Sequence, residues 1–365
     1  MRPNAFRCIA ILACLITAAT IVSCGRRDSE EEQESKTEIK PAMLPPAEQP
    51  AIVTSGNLQL RAVVTLPVRE IGALVPGAVI VHSFGDLDRD GTSTQNNLTI
   101  APYRDLTRRL AEQGIASVRF DKRTLPPYAA TLNIRELTLE DYYADAIAAL
   151  KLLRTVECVD PERLYFIGHG EGAVVVPALV EANPSLGVRG LVLIAPPLIR
   201  ADDLIIRQLE YQIHQLDLFI KHDQRASEKD IQRRERMQQE IEAYKDAFGR
   251  LQENGEGWGE TRLHGYFEKY WRSAIELYGG NAERIKRSAL PVLIVQGNLD
   301  PFVIAEDLLQ RREELERTGH ITVVLLDSLG HNLIEPGGQF VRPEATIPIA
   351  NWLRTPPAPL PPPEE

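Results

Sequence analysis

The pentapeptide GHGEG at residues 168–172 lies between an apolar run of strand type, 164–167, and a helix-like run of small residues, 173–180. A short apolar run followed by glycines and then by a helical pattern predicts a strand, a tight turn and a helix. Gly170 stands at the centre of that turn. The stretch therefore predicts that residue 170 lies in a tight turn at the end of a strand of a sheet.

Two known motifs fit this stretch. In the nucleophile elbow, G-x-S-x-G, a strained turn presents a serine at the top of a sheet, and here Gly170 holds the serine position. The dinucleotide fingerprint, G-x-G-x-x-G/A, also matches through Ala173, but it needs an acidic residue about 20 positions further on. The next predicted strand, 188–195, ends in Pro196-Pro197 without a carboxylate. An elbow lacking its serine is favoured, while a dinucleotide site and a plain glycine-rich turn remain alternatives.

Strand-like and helix-like runs alternate along the chain. The strand-like runs are 58–66, 78–82, 116–120, 164–167, 191–195, 292–296 and 322–326, and the helix-like runs are 103–112, 139–155, 173–181, 304–316 and 345–353. Short apolar strands that alternate with helices predict an α/β fold with a mostly parallel sheet covered on both faces. The predicted core comprises residues 51–200 and 286–354.

Residues 201–285 interrupt this alternation with a long, charged and helical segment. Apolar residues recur at helical spacing through it, and an aromatic cluster follows between residues 258 and 271. Aromatic residues at this spacing more often pack together than line a ligand site. The segment is predicted to be a helical cap inserted between two strands of the core.

An acid and a histidine follow the last two predicted strands. Asp300 comes after the run 292–296, and His331 comes after the run 322–326. In acyl-transfer sites a histidine takes the proton of the nucleophile, and an acid holds the histidine tautomer and stabilises the imidazolium. Each residue alone has an ordinary explanation in a turn or loop. Their order after position 170 predicts the acid and base of a catalytic triad.

The chain resembles a bacterial esterase group of the α/β-hydrolase superfamily over residues 51–354. Members of that group carry G-H-S-E-G-G at the elbow and H-G-S-G-x-x-D-R-D after the third strand, where this chain has GHGEGA at 168–173 and HSFGDLDRD at 82–90. Other matching stretches are RFDKR at 119–123, QLEY at 208–211 and QGNLD at 296–300. The resemblance implies an α/β-hydrolase fold with an oxyanion hole made by the backbone N–H groups of Phe84 and Glu171.

Three residues depart from the pattern of that group. Gly170 replaces the serine, Ser83 replaces the glycine after His82, and Ala173 replaces the second elbow glycine. The first change removes covalent catalysis as the group performs it. The second places a side chain in the loop that aims Phe84 at the oxyanion.

Two functions follow from these departures. In the first, the protein is a pseudoenzyme of hydrolase fold that binds a small ester-like or acyl ligand, or a protein partner, under its cap. In the second, it is an ester hydrolase of altered mechanism, in which His331 and Asp300 act with a water molecule or with Ser83. Whether it is an enzyme is left open by these residues. A serine placed at position 170 is expected to produce esterase activity.

The N-terminus predicts export and lipid attachment. Basic residues precede an apolar stretch, 8–22, which ends in small residues before Cys24. This pattern is typical of a signal peptide, predicted over residues 1–23, and resembles the bacterial lipoprotein signal in which the cysteine is acylated. The predicted location is the cell envelope, with Cys24 anchoring the protein to a bacterial membrane. An acidic, proline-bearing linker is predicted at 24–50, and a proline-rich tail at 355–365.

Composition argues against several ligand classes. The net charge is -10, so nucleic acid is not an expected partner. The stretch DLDRDG at 86–91 matches the first half of an EF-hand loop, but position 12 would be Asn97 instead of the bidentate glutamate. Calcium binding is therefore a weaker alternative than the interpretation that Asp88 and Asp90 are loop acids of the resembled esterase group. No metal site and no cofactor are predicted.

Overall fold

The computed structural model describes residues 42–93, 99–223, 225–252 and 257–358, and ten strands and nine α-helices lie in these ranges. The strands are β1 (Met43–Leu44), β2 (Ala47–Ser55), β3 (Leu58–Leu66), β4 (Arg69–Glu70), β5 (Val75–Val81), β6 (Ala116–Phe120), β7 (Val159–His169), β8 (Gly190–Ile194), β9 (Val292–Gly297) and β10 (Ile321–Leu326). The helices are α1 (Pro102–Glu112), α2 (Asp141–Arg154), α3 (Gly172–Ala182), α4 (Ala201–His222), α5 (Glu228–Gln252), α6 (Glu268–Gly279), α7 (Asn281–Lys286), α8 (Ala305–Glu316) and α9 (Pro343–Arg354).

Eight of these strands form one sheet in the order β10-β9-β8-β7-β5-β6-β3-β2. The pairs from β10 to β6 are parallel, and the two pairs that join β6, β3 and β2 are antiparallel. Apolar side chains pack on both faces of the sheet, with α2 and α3 on one face and α1 and α9 on the other. A strand covered on both faces must be apolar throughout, as β5 is. The predicted mostly parallel α/β sheet is confirmed.

The predicted linker is wrong at its C-terminal end. Strand β2 begins at Ala47, inside the segment 24–50, and pairs with β3 over its whole length. Its Glu48 accepts hydrogen bonds from Arg108 and Arg119, which fix the strand to the domain. The polar, proline-bearing sequence suits this place because β2 is an edge strand, where proline and charge are tolerated. The predicted signal peptide, Cys24, the linker residues up to 41 and residues 359–365 lie outside the described residues.

Helices α4–α7 follow β8 and precede β9, and they occupy the segment predicted as a cap, with α7 ending one residue beyond it at Lys286. Helix α4 packs against α5 and α6, and helices α6 and α7 pack against α3 of the core. The residues described here, which lie between 42 and 358, make up one compact unit. Within the described ranges, the structure has no helix with the length and apolar character needed to span a membrane.

The parallel pairing of β5 with β7 determines which loops meet. Val81 pairs with Gly168, so the residues after β5 and the turn after β7 leave neighbouring strand ends together. Helix α3 starts close against this edge: a Cβ at Gly172 would lie 2.2 Å from the carbonyl oxygen of Val81. Only glycine permits that approach. The loops after β9 and β10 leave the sheet at the same edge, as expected for parallel strands.

Candidate active site

The turn at Gly170 has the geometry predicted for an elbow. Strand β7 ends at His169, Gly170 has φ +52°, and α3 begins at Gly172. The N–H of Gly170 donates to the carbonyl of Ile194 at 2.9 Å, which ties the turn to β8. Positive φ is strained for residues other than glycine, and strained turns of this type occur at functional sites.

Asp300 and His331 form a hydrogen-bonded pair at this edge. The Nδ1 atom of His331 lies 2.8 Å from Oδ2 of Asp300, whose side chain is fully buried. The second oxygen of Asp300 accepts the N–H groups of Phe302 and Val303, at 2.8 and 3.0 Å. Burial raises the pKa of Asp300, but His331 and these two N–H groups lower that pKa more, so it lies below its usual value. Asp300 is therefore a carboxylate, and the Nδ1 atom of His331 carries the proton that it accepts.

The other ring nitrogen of His331 faces Ser83. Its Nε2 atom lies 3.2 Å from Ser83 Oγ, and in the tautomer that carries its proton on Nδ1, Nε2 accepts a hydrogen bond from the Ser83 hydroxyl. A Cβ added at Gly170 would lie 2.2 Å from Ser83 Oγ and 3.3 Å from His331 Nε2. The hydroxyl of Ser83 therefore fills the space that a side chain at position 170 would enter.

A chain of hydrogen bonds holds Ser83 and the His331 loop in place. His169 Nε2 donates to the carbonyl of His331 at 3.0 Å, so its Nδ1 is an acceptor, and the hydroxyl of Tyr103 donates to it at 3.0 Å. The hydroxyl of Tyr103 in turn accepts the N–H of Ser83 at 2.8 Å. Burial, together with the nearby His331, lowers the pKa of His169 to about 3. The ring stays neutral and keeps this pattern of donors at physiological pH.

The residues predicted for the oxyanion hole flank Ser83 and Gly170. Phe84 follows Ser83 on the β5 side, and Glu171 follows Gly170 on the β7 side. In the described part of the chain, neither backbone N–H donates to a protein acceptor. Two N–H groups without protein acceptors beside the Ser83–His331 pair have the chemistry that an oxyanion needs.

Aromatic rings from the segment predicted as a cap cover Phe84. The ring of Phe84 contacts His264, Tyr266, Tyr270 and Trp271, with centroids 5.7–6.4 Å apart. Most of the cluster is buried in packing, as expected from its helical spacing. A cavity of about 40 Å³ remains between Phe84 and helices α4 and α6, lined by mainly apolar side chains. A small acyl or alkyl group would fit such a space.

The acids of the predicted calcium alternative have protein partners. Asp88 accepts the N–H groups of Asp90 and Thr92, and Asp90 accepts from Arg119. Among the described residues there is no group of three or more His, Cys, Asp or Glu side chains placed to hold a metal ion. The dinucleotide alternative lacks its acid here as well, since β8 runs into Ala195 and two prolines.

In the second function, the sequence reasoning left open whether a water molecule or Ser83 acts with His331 and Asp300. What it did not predict is the direct hydrogen bond between Ser83 and His331. The available signal was the pair of departures from the resembled motif, because a serine appears at 83 where one is absent at 170. That signal becomes informative only when the β5–β7 pairing brings the two positions together.

Known proteins similar to this chain are hydrolases. Esterase EstD of Thermotoga maritima is 27% identical over 265 residues, which are 72% of this chain and 56% of EstD, so the chain spans about half the length of that relative. Pyrococcus horikoshii acylaminoacyl peptidase aligns with TM-score 0.51 at 13% identity, covering 88% of this chain and 43% of the peptidase. A lipase in its open form aligns with TM-score 0.51 at 15% identity, covering 84% of this chain and 98% of the lipase. The two structural likenesses indicate a shared fold.

The family Hydrolase_4, described as serine aminopeptidase S33, matches residues 97–336, more than half of the chain. The match includes the turn at Gly170, Asp300 and His331. With the eight-stranded, mostly parallel sheet and its flanking helices, this identifies the chain as an esterase-like α/β-hydrolase that belongs to the Hydrolase_4 family.

Proposed function

We propose that the protein is a carboxylic ester hydrolase in which Ser83, His331 and Asp300 form the catalytic triad. One observation carries the proposal: Ser83 Oγ is hydrogen-bonded to His331 Nε2 in the space that Gly170 leaves open. In this proposal there is no serine-dependent catalysis at position 170, and the nucleophile is supplied from the opposite side of the same space. Of the two functions weighed from the sequence, this supports the ester hydrolase.

The arrangement accounts for a complete acyl transfer. His331 Nε2 takes the proton of Ser83 as its Oγ attacks the acyl carbon, and Asp300 stabilises the imidazolium. The tetrahedral oxyanion accepts hydrogen bonds from Phe84 and Glu171. His331 then protonates the leaving alkoxide, and the ester C–O bond breaks to give an acyl group on Ser83. Water, deprotonated by His331, attacks this acyl group, and the proton returns to Ser83 as the carboxylic acid leaves.

A nucleophile at position 83 instead of position 170 keeps the usual relation between the nucleophile and the oxyanion hole. In the elbow arrangement one N–H comes from the residue after the nucleophile, and the other comes from the loop on the neighbouring strand. With Ser83 as nucleophile, Phe84 is the residue after it and Glu171 lies in the neighbouring loop. The same two N–H groups form the oxyanion hole. Phe84 takes the role of the residue after the nucleophile, and Glu171 takes the role of the donor from the neighbouring loop.

The size of the site favours small substrates. The cavity beside Phe84 is about 40 Å³ and mostly apolar, which suits a short acyl or alkyl chain. The relative from Thermotoga maritima is named an esterase, in agreement with an ester as the substrate class. We therefore propose short-chain carboxylic esters as substrates.

The proposal is tested with the full-length protein in detergent, using p-nitrophenyl acetate and butyrate as substrates and a fluorophosphonate as the covalent probe. We expect turnover and stoichiometric labelling, with the phosphonyl group located on Ser83 by peptide mass spectrometry. Folded protein that neither turns over nor reacts with the probe would overturn the proposal. It would favour the other function, a pseudoenzyme that binds an ester-like or acyl ligand or a protein partner. A label on a different residue would also overturn it.

We propose further that the protein is exported and anchored to a membrane of the cell envelope through acylated Cys24. The support is the apolar stretch and small residues before Cys24 in the sequence. Each buried CH₂ of the acyl chains contributes about 0.8 kcal/mol, so two or more chains anchor the protein stably.

Replacing Cys24 with alanine should therefore release the protein from membranes or block its processing. Membrane fractionation and the intact mass of the mature protein measure the two effects, with Cys158→Ala as the control for loss of a cysteine. Normal cleavage with unchanged membrane retention in the Cys24→Ala variant would contradict the anchor.

A further inference from the structure

A buried lysine lies behind the peptide that joins Ser83 to Phe84. Lys122 Nζ donates to the carbonyl oxygen of Ser83 at 3.0 Å and lies 2.7 Å from Glu171 Oε1. The Lys122 and Glu171 side chains are 4% and 1% exposed. The second carboxylate oxygen of Glu171 accepts the hydroxyl of Tyr270, from cap helix α6. These three side chains connect the cap, the turn after β7 and the loop after β5.

The peptide geometry determines what this lysine does. In a planar trans peptide the C=O and N–H groups point in opposite directions. Because Lys122 holds the carbonyl of Ser83 on one side, the N–H of Phe84 is directed to the other side. The ammonium also draws electron density toward the carbonyl, which makes the N–H of that peptide a stronger donor. The preceding peptide is fixed as well, since the N–H of Ser83 donates to Tyr103.

Burying the Lys122–Glu171 ion pair costs free energy, and packing alone does not explain why the pair is there. Taking a lysine and a glutamate out of water carries a desolvation penalty that apolar residues of similar volume would avoid. Here both charged groups act at the site: Lys122 holds the carbonyl of Ser83 and so orients the Phe84 N–H, and the Glu171 carboxylate holds Lys122 in place. The backbone of Glu171 provides the other N–H. Tyr270 completes the hydrogen bonding of Glu171 from the cap.

We propose that Lys122, the Glu171 side chain and Tyr270 form a positioning network that aims the two oxyanion-binding N–H groups and ties them to the cap. This inference rests on the proposed ester hydrolysis for its kinetic readout but not for its spectroscopic one. Lys122 and Tyr270 are positioning residues in it, because they act on the substrate through the peptide of Ser83 and through Glu171.

The kinetic test removes the buried charges as a pair, so that no carboxylate is left without a partner. In the variant Lys122→Met/Glu171→Gln we expect kcat to fall by about 10- to 100-fold with KM almost unchanged, somewhat less than the loss of a whole oxyanion donor. Tyr270→Phe keeps the ion pair and should lower kcat by about threefold, the scale of one modest hydrogen bond. An unchanged kcat in a folded Tyr270→Phe variant would overturn the link to the cap.

The matched control is the neighbouring ion pair of Arg123 and Asp145, which is also buried and is joined by hydrogen bonds of 2.7 and 2.8 Å. The variant Arg123→Met/Asp145→Asn removes the same kinds of charge without touching Ser83 or Glu171. A purely structural role for Lys122 predicts equal kinetic losses in the two variants. Equal losses would therefore overturn the proposal.

A second readout does not depend on activity. With ¹⁵N-phenylalanine in the full-length chain, the Phe84 amide is assigned by the loss of its peak in Phe84→Leu. In Lys122→Met/Glu171→Gln the amide proton resonance of Phe84 should move upfield, and in the Arg123 and Asp145 control it should stay in place. An unmoved Phe84 peak would overturn the inference even if the enzyme is active. A moved peak in a protein without turnover would support the network while the proposed hydrolysis fails.

Discussion

Replacing Ser83 with alanine is expected to abolish fluorophosphonate labelling and to lower kcat on short p-nitrophenyl esters by about 10⁶-fold, the scale of nucleophile loss in a serine hydrolase. The reason is that Ser83 Oγ is the oxygen that His331 Nε2 contacts, at 3.2 Å. What remains in the variant is the His331–Asp300 pair and the two N–H groups, which can activate only a water molecule. Stopped assays and probe labelling of the purified full-length protein measure both losses.

The matched control is Ser117→Ala. Ser117 is a fully buried serine on β6 whose hydroxyl has no partner among the described residues. Its loss should leave turnover and labelling near the wild-type values. If Ser83→Ala retains wild-type turnover, the nucleophile is not Ser83, and a water molecule activated by His331 becomes the mechanism to test.

Exchanging the residues at positions 83 and 170 should return the nucleophile to the elbow. We expect Ser83→Gly to be as inactive as Ser83→Ala, and the double variant Ser83→Gly/Gly170→Ser to regain at least about 10³-fold of that loss. The turn at Gly170 already has the positive φ of an elbow, and a serine there costs about 1–3 kcal/mol in backbone strain. Kinetics, probe labelling and the mass of the labelled peptide are the measurements.

The single variant Gly170→Ser distinguishes two hypotheses. In one, Ser83 occupies the space beside position 170; in the other, the site lacks only a serine hydroxyl at position 170. The sequence alone predicts that this substitution produces esterase activity. In the structure the new Cβ would lie 2.2 Å from Ser83 Oγ, so the Ser83 hydroxyl must leave its bond with His331. Gly170→Ser is therefore expected to be less active than the double variant, a strongly non-additive result. A folded double variant that is as inactive as Ser83→Gly would contradict the inference that the Ser83 hydroxyl and a side chain at position 170 occupy the same space.

Adding His331→Ala to the double variant provides a further control. The elbow serine needs the same base, so activity regained by the exchange should be lost again. Activity that persists without His331 would mean that the serine at position 170 reacts by a different route.

Much of the fold was predictable because its signals are local. Strands such as β5 and β8 are apolar throughout, and the periodic helices between them are recognisable from single windows of sequence. Strand β2 was missed because its proline and charges resemble a linker, and only its pairing with β3 makes it a strand. Edge strands depend on a partner that lies elsewhere in the chain.

The sequence by itself determined the α/β architecture, the tight turn at Gly170 and the candidate acid and base, since each follows from residue type, order and position at a strand end. Only the tertiary structure decided which hydroxyl faces His331. Ser83 and Gly170 are distant in the chain and become neighbours because Val81 pairs with Gly168. The glycine leaves a space at the turn and the serine fills it, a complementarity between two strand ends that no local pattern contains.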